Sequence, residues 1–215
     1  MCFSAEASFV VSGTLLVVGA GAIRKVNDKK DVFIACIPLL FAFQQLTEGL
    51  LWLTLESGEE PPMQFWLANL YGIFIGVVWP FYAPFAIYQG EMDKSVRKVV
   101  ASMMVAGISL AAYTIIGLLS EPVIASIVNH SIHYAHDVEG QRFVLGMYLF
   151  ATCVPFILSS NRLLNITGAM ITLGFFVSFY AYRETFASVW CFFAAIASAL
   201  IYLYIVDQRM NRVRG

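Results

Sequence analysis

The chain has 215 residues, of which 60% are hydrophobic and only 13% are charged, and its mean hydropathy is +0.75. Soluble domains carry about 25% charged residues, so this composition indicates an integral membrane protein. The net charge is −1 and the basic residues are scattered between apolar runs. We therefore set nucleic acid aside as a partner.

The N-terminal residues MCFSAEASF contain Glu6 but no Lys or Arg. A secretory signal begins with a positively charged region, so we expect the first apolar run to be retained as a membrane span. The four cysteines lie far apart and form no CxxC pair. Their spacing alone therefore predicts neither a zinc motif nor a redox motif.

Seven runs of about 20 mostly apolar residues follow one another, each long enough to cross the hydrocarbon core of a bilayer. Polar or turn-forming clusters such as RKVNDKKD, ESGEEPP and QGEMDKSVRK separate them. The pattern predicts an all-α integral membrane protein with a single polytopic domain over residues 1–215. The expected spans are 4–23, 32–55, 63–88, 97–119, 141–159, 163–182 and 185–206.

The distribution of Lys and Arg predicts the orientation of these spans. If the N-terminus lies outside, eleven basic residues fall in cytoplasmic segments, and only Arg142 and Arg183 fall outside. The asymmetry predicts seven transmembrane helices with the N-terminus out and the C-terminus in. The eleven residues are Arg24, Lys25, Lys29, Lys30, Lys94, Arg97, Lys98, Arg162, Arg209, Arg212 and Arg214.

Two further patterns concern packing of the helices. Four prolines, Pro38, Pro80, Pro84 and Pro155, lie inside predicted spans, where each removes a helical hydrogen bond, and WPFYAP in the third span is the expected kink. Small residues repeat at helical spacing, as in Ser4, Ser8 and Ser12 of the first span, which favours close contact between helices.

The stretch FAFQQLTEGLLWLTL, residues 41–55, places a carboxyl group inside the second span. Gln44, Glu48 and Trp52 recur every four residues, so they share one face, and that face must turn away from lipid because a charged group there is costly. Two interpretations remain open: a hydrogen-bonded carboxyl group that holds helices together, or a metal, proton or substrate site. Residues expected near its depth include Gln45, Asn69, Tyr71, Tyr113, Tyr180, Tyr182, Trp190 and Cys191, with Cys2 and Glu6 at the outer mouth.

All three histidines lie in residues 120–140, SEPVIASIVNHSIHYAHDVEG. On a helical wheel the apolar residues occupy one half and Asn129, His130, His133, His136 and Asp137 the other. This arrangement predicts an amphipathic helix over residues 121–138, between the fourth and fifth spans, lying in the outer interface. Imidazole is the commonest metal ligand, although a solvated polar face is the alternative. His130, followed one turn later by Tyr134, is the histidine we expect to face the bundle.

Lysine is absent from the membrane core of every predicted span, so a retinal Schiff base is excluded, and no haem-attachment CxxCH occurs. Zinc or another divalent metal remains the cofactor to test. Its candidate ligands are Glu48, His130, Cys2, His133 and Cys191, with Gln44, Gln45, Trp52, Asn69, Tyr134 and Trp190 as pocket support.

The motifs MCFSAEASF, QQLTEGLLW, VWPFYAP, HSIHY and SVWCFFAA span residues 1–195. They resemble an uncharacterised bacterial family of multi-pass membrane proteins whose chains begin Met-Cys-Phe-Ser-Ala. The resemblance implies a location in the bacterial inner membrane and brings no activity with it. It implies that family motifs include Cys2, Ser4, Glu48, Trp52, Trp79, His130, Tyr134, Trp190 and Cys191.

These patterns predict a polar pocket on the outer side, built around Glu48 and His130, that binds a metal or small ligand. The alternatives are a proton-coupled small-molecule transporter using Glu48, a metal-dependent membrane hydrolase, and a non-enzymatic sensor or assembly subunit. Whether the protein is an enzyme stays open at this point. Membrane lipid is the expected partner, with a small-molecule or lipid ligand besides, and the oligomeric state is left open.

Overall fold

The structure is a computed structural model that describes residues 4–58, 61–135 and 141–214. Within these ranges the chain is almost entirely helical, with one short hairpin. The helices are α1 (Ala5–Lys25), α2 (Val32–Ala35), α3 (Ile37–Ser57), α4 (Pro61–Ile73), α5 (Trp79–Gly90), α6 (Lys94–Ser120), α7 (Gln141–Thr152), α8 (Val154–Leu158), α9 (Arg162–Ala181), α10 (Phe186–Ser198) and α11 (Leu200–Arg214). The strands are β1 (Ile124–Val128) and β2 (Ser131–Ala135).

Among the described residues, six helical stretches are long and apolar enough to cross a membrane, which confirms a multi-pass helical membrane protein. They are Ala5–Lys25, Lys29–Ser57, Pro61–Gly90, Lys94–Ser120, Arg162–Ala181 and Phe186–Met210. The predicted fifth span, 141–159, is divided: α7 ends at Thr152 and α8 begins at Val154. Pro155 lies at the start of α8 and has no N–H to continue the helical ladder of α7.

The helix α1 packs on α3 through small residues. Ser8 and Ser12 are buried, and the Ser12 hydroxyl donates a hydrogen bond of 2.8 Å to the Ala42 carbonyl. A Cβ atom on Gly19 would overlap the side chain of Leu39, so the glycine allows the two backbones to approach closely. This contact agrees with the stripe of small residues predicted for the first span.

The third span contains an irregular turn where the sequence predicts a kink. A π-helical turn, Phe74–Val78, separates α4 from α5, and Pro80 follows directly. Pro80 cannot donate a backbone hydrogen bond, so the preceding turn is free to widen. Its carbonyl oxygen abuts Gly107 of α6, where any Cβ atom would overlap it.

At one end of the bundle Glu91 joins the connection between α5 and α6 to the connection between α8 and α9. We call this end the Glu91 end. The Glu91 carboxylate accepts hydrogen bonds from the Ser160 N–H (2.9 Å) and the Ser159 hydroxyl (3.2 Å), between α8 and α9. It also accepts from the backbone N–H groups of Met92 and Asp93. Although burial alone would raise the pKa of Glu91, these donors lower it below the usual value.

The prediction of an interfacial helix over residues 121–138 is wrong for the part that the structure describes. Residues 124–128 and 131–135 pair as antiparallel strands with Val128 opposite Ser131. Asn129 and His130 form the turn with φ of 48° and 57°, as the two-residue turns of hairpins require. Residues 136–138 lie outside the described residues. We call the end of the bundle that carries this segment the hairpin end.

The physical reason for this error is that a short apolar run fits both the period of a helix and the period of a strand. The apolar half of the wheel consists largely of β-branched residues, which favour strands. The turn contains no glycine, so the usual signal of a hairpin is missing.

Candidate functional site

Glu48 lies inside the bundle, on α3, with no exposed surface. The Ser188 hydroxyl of α10 donates to Glu48 Oε1 at 2.5 Å, and the Gln45 side-chain amide donates to Glu48 Oε2 at 3.0 Å. Both carboxyl oxygens therefore have donors supplied by the protein. Ser188 belongs to the first turn of α10, and the positive end of that helix favours negative charge nearby.

Gln44, one residue before Gln45, extends the polar network to α5. Its side-chain oxygen accepts a hydrogen bond of 2.6 Å from the indole N–H of Trp79. The Trp79 ring stacks on Phe41, with centroids 3.9 Å apart and planes 21° apart. Since Gln44 is fully buried, the pair fixes α3 against α5 in the interior of the bundle.

Cys191, on the same helix as Ser188, also belongs to this cluster. Its thiol lies beside the side chains of Gln44 and Tyr71 and interacts electrostatically with Glu48. Tyr71, on α4, is fully buried as well. The predicted proximity of Glu48, Gln44, Gln45 and Cys191 is therefore seen in the structure, but the chemical role of these residues stays a prediction.

A cavity adjoins the cluster, with an empty volume of about 430 Å³. Its walls come from helices α3, α5 and α7 to α11, and they are mainly apolar and aromatic. The space is narrow, with room for little more than a water molecule in this arrangement of side chains. Trp79 and Cys191 belong to both the wall and the network, so Glu48 lies directly behind the wall.

Tyr148 and Trp190 give this cavity two further polar features. The Trp190 indole N–H donates to the Ile171 carbonyl at 3.1 Å. The Tyr148 hydroxyl is buried and has no hydrogen-bond partner among the described residues. Buried hydroxyl groups are normally paired, so an unpaired one in a cavity wall is a feature that a bound molecule or water would satisfy.

The structure separates His130 and His133 from Glu48. His130 is exposed at the tip of the hairpin, whereas Glu48 is buried. The His133 ring contacts the backbone carbonyl of Glu184. The prediction that Glu48 and His130 line one pocket is therefore not supported, because the hairpin turn directs His130 to the surface.

Asn69 and Tyr134 connect the hairpin to the bundle. The Asn69 side chain pairs with both backbone groups of Val123, at 3.0 and 3.3 Å. The Tyr134 ring stacks on Tyr71, with centroids 4.4 Å apart and planes 4° apart. The stack links the hairpin to the cluster, because Tyr71 also contacts Cys191.

The remaining predicted residues do not assemble a metal site. Trp52 is buried in a separate apolar cluster at the hairpin end, with Leu51, Val123 and Ile132. Cys2 lies outside the described residues, as does His136. In the ranges that the structure describes, no group of three or more His, Cys, Asp or Glu is placed to hold a metal ion, so a metal centre is not supported there.

Sequence reasoning did not single out Ser188 and Tyr148. Ser188 was visible only as a small residue in SVWCFFAA, and a serine at the start of a span is normally a packing residue. Tyr148 lies in an apolar stretch without a polar neighbour that would draw notice. The roles of both residues depend on contacts between helices that are far apart in the sequence.

Fold and site together define a multi-pass helical membrane protein with a polar cluster buried beside a central apolar cavity. The chain belongs to a family described as "Family of unknown function (DUF6629)", whose model matches residues 1–214. No curated protein and no solved structure shows significant similarity to the chain.

Proposed function

We propose that the chain is a bacterial inner-membrane carrier that exchanges a proton for a small organic cation with an apolar body. Glu48 would be the group that holds either the proton or the charge of the cargo. The observation that carries the proposal is the position of Glu48, fully buried behind the wall of the cavity.

The membrane topology belongs to this proposal. We place α7 and α8 across the membrane as a fifth of seven spans, with the N-terminus outside and the C-terminus inside. The eighteen residues from Gln141 to Leu158 reach about 27 Å at the helical rise, close to the thickness of a hydrocarbon core. The Glu91 end, which carries most of the basic residues, would then be cytoplasmic.

The chemistry of proton exchange follows from the surroundings of Glu48. A charged carboxylate inside a membrane is unfavourable unless it is paired or hydrogen-bonded. The Gln45 side-chain amide and the Ser188 hydroxyl, which donate hydrogen bonds to the Glu48 carboxyl oxygens, are both neutral. Neutral donors leave the carboxyl group able to take up a proton or to attract a cation, so the two would compete.

The nature of the cargo follows from the cavity. Aromatic rings attract cations through their negative faces, and Phe41, Trp79 and Trp190 contribute such rings to the wall. The rest of the lining is largely apolar, which fits a cargo with hydrocarbon groups around its charge. The narrow space requires side chains to move before a molecule of that size can pass.

Proton exchange can be tested in liposomes that contain the purified protein and a pH-sensitive dye. Quaternary ammonium cations of increasing size, added on one side, should drive proton release that saturates with concentration. Glu48→Gln should reduce this release at least tenfold, because the amide cannot exchange a proton. Glu91→Gln is the matched control, because it makes the same change in a buried carboxyl group at the Glu91 end, outside the cavity lining. Equal proton release from wild type and Glu48→Gln would refute the proposal.

A purely structural role for the cluster is the second candidate, favoured by the hydrogen bond between α3 and α10. The two roles differ in what Glu48→Gln changes. A structural role predicts lower stability with no cation-driven proton movement in the wild type. The carrier predicts proton movement in the wild type and its loss in a variant that still folds.

A further inference from the structure

A second concave surface lies on the outside of the bundle, between α7 and α9. Its empty volume, about 1140 Å³, is open on one side. The lining includes Leu145, Gly146 and Leu149 from α7, and Phe175 and Phe179 from α9. We call this surface the α7–α9 groove.

The floor of the groove is open at Gly146. No other atom lies within 4 Å of the place where a Cβ atom would be built, so the glycine leaves space rather than packing against a neighbour. Around it Phe176 and Tyr180 are 46% and 77% exposed. In a membrane, such an apolar surface faces hydrocarbon chains.

The polar end of the groove is formed by Arg183, two residues beyond the end of α9. The side chain is exposed, and the structure gives its guanidinium group no ion pair or hydrogen bond to a described residue. Tyr180 stands one turn before it, and tyrosine is a residue typical of the membrane interface. An apolar slot that ends at an exposed cation matches the hydrocarbon chain and the anionic headgroup of a lipid.

We propose that the α7–α9 groove binds an anionic phospholipid, with an acyl chain along Leu145, Gly146 and Phe179 and the phosphate against Arg183. The acyl chain fills the space that Gly146 leaves, and the guanidinium group supplies a forked donor for phosphate oxygens. A zwitterionic lipid would fit the apolar part equally but gain less at Arg183, because its headgroup carries no net charge. The site is separate from the central cavity and does not depend on the carrier proposal.

Native mass spectrometry of the whole chain tests this site, after incubation with equal amounts of phosphatidylglycerol and phosphatidylcholine. One basic side chain near a membrane contributes an attraction worth about fivefold in binding. We expect wild type to retain phosphatidylglycerol about fivefold over phosphatidylcholine, and Arg183→Gln to retain both equally. Arg24→Gln, an arginine at the Glu91 end, should keep the preference.

The apolar part has its own variant and control. Gly146→Leu should fill the groove and reduce retention of both lipids, whereas Gly13→Leu, also with open space around it, should change nothing. Inorganic phosphate should not displace the lipid if the acyl chain contributes. Equal retention of the two lipids by wild type, or an unchanged preference in Arg183→Gln, would overturn the proposal. So would displacement by phosphate alone.

Discussion

The hydrogen bond from Ser188 to Glu48 should be a measurable contributor to stability. Ser188→Ala removes a donor 2.5 Å from a fully buried carboxyl oxygen. Leaving a buried acceptor unpaired costs about 1–3 kcal/mol, and hydrogen bonds between membrane helices average about 0.6 with a maximum near 1.7. Because this bond is short and its acceptor is fully buried, we expect Ser188→Ala to lower the free energy of unfolding by about 1.5 kcal/mol.

The assay is reversible unfolding in mixed micelles, with Ser198→Ala as the matched control. Ser198 is also fully buried on α10, but its hydroxyl donates to the Ala195 carbonyl of the same helix. Its removal should cost less than about 0.5 kcal/mol, since a serine hydroxyl bonded to its own helix joins no second helix and adds little to stability.

A double-mutant cycle then isolates the pair itself. If Ser188 acts through Glu48, Ser188→Ala should cost much less in a Glu48→Gln background, with a coupling energy of at least about 1 kcal/mol. Equal losses for Ser188→Ala and Ser198→Ala, or additive losses in the double variant, would show that the contact between α3 and α10 is not a stabilising one.

Three further predictions concern the rest of the bundle. Glu91 has a lowered pKa, so its contribution to stability should be present above the ordinary value of 4.5 and lost as the pH falls through the lower folded value. Melting temperatures from pH 7 to 3 should show this loss, and Glu91→Gln should flatten the profile. Gly107→Ala should cost about 1–3 kcal/mol of unfolding free energy, since its Cβ atom would overlap the Pro80 carbonyl, whereas Gly13→Ala should not destabilise. Asn69→Ala should speed amide exchange at Val123 and through β1 but not in α9, because it removes both side-chain contacts to Val123. An unchanged exchange rate in β1 would contradict that reading.

The membrane character of the chain could be predicted because it depends on composition and length, which are local properties. The inward face of α3 could be predicted for the same reason, since the four-residue spacing of Gln44, Glu48 and Trp52 and the cost of exposing a charge to lipid leave one orientation. All three side chains are indeed buried. Such arguments need no knowledge of which helices are neighbours.

The hairpin could not be predicted because the apolar residues of this short segment fit the helical period and the strand period equally well. His130 adopts a positive φ, a conformation that is uncommon for any residue other than glycine and that the sequence does not announce. With a helix assumed in its place, His130 was expected to face Glu48. The helix predicted in place of the hairpin therefore led to a wrong partner for Glu48.

The partners of Glu48 show what replaces that histidine. The carboxyl group is bonded by Gln45, three residues away, and by Ser188, 140 residues away. An imidazole beside Glu48 would have offered an ion pair when protonated or a metal ligand when neutral. Amide and hydroxyl donors stabilise the carboxyl group without fixing its charge. This arrangement agrees with the proposed carrier, in which Glu48 changes its protonation when the contents of the cavity change.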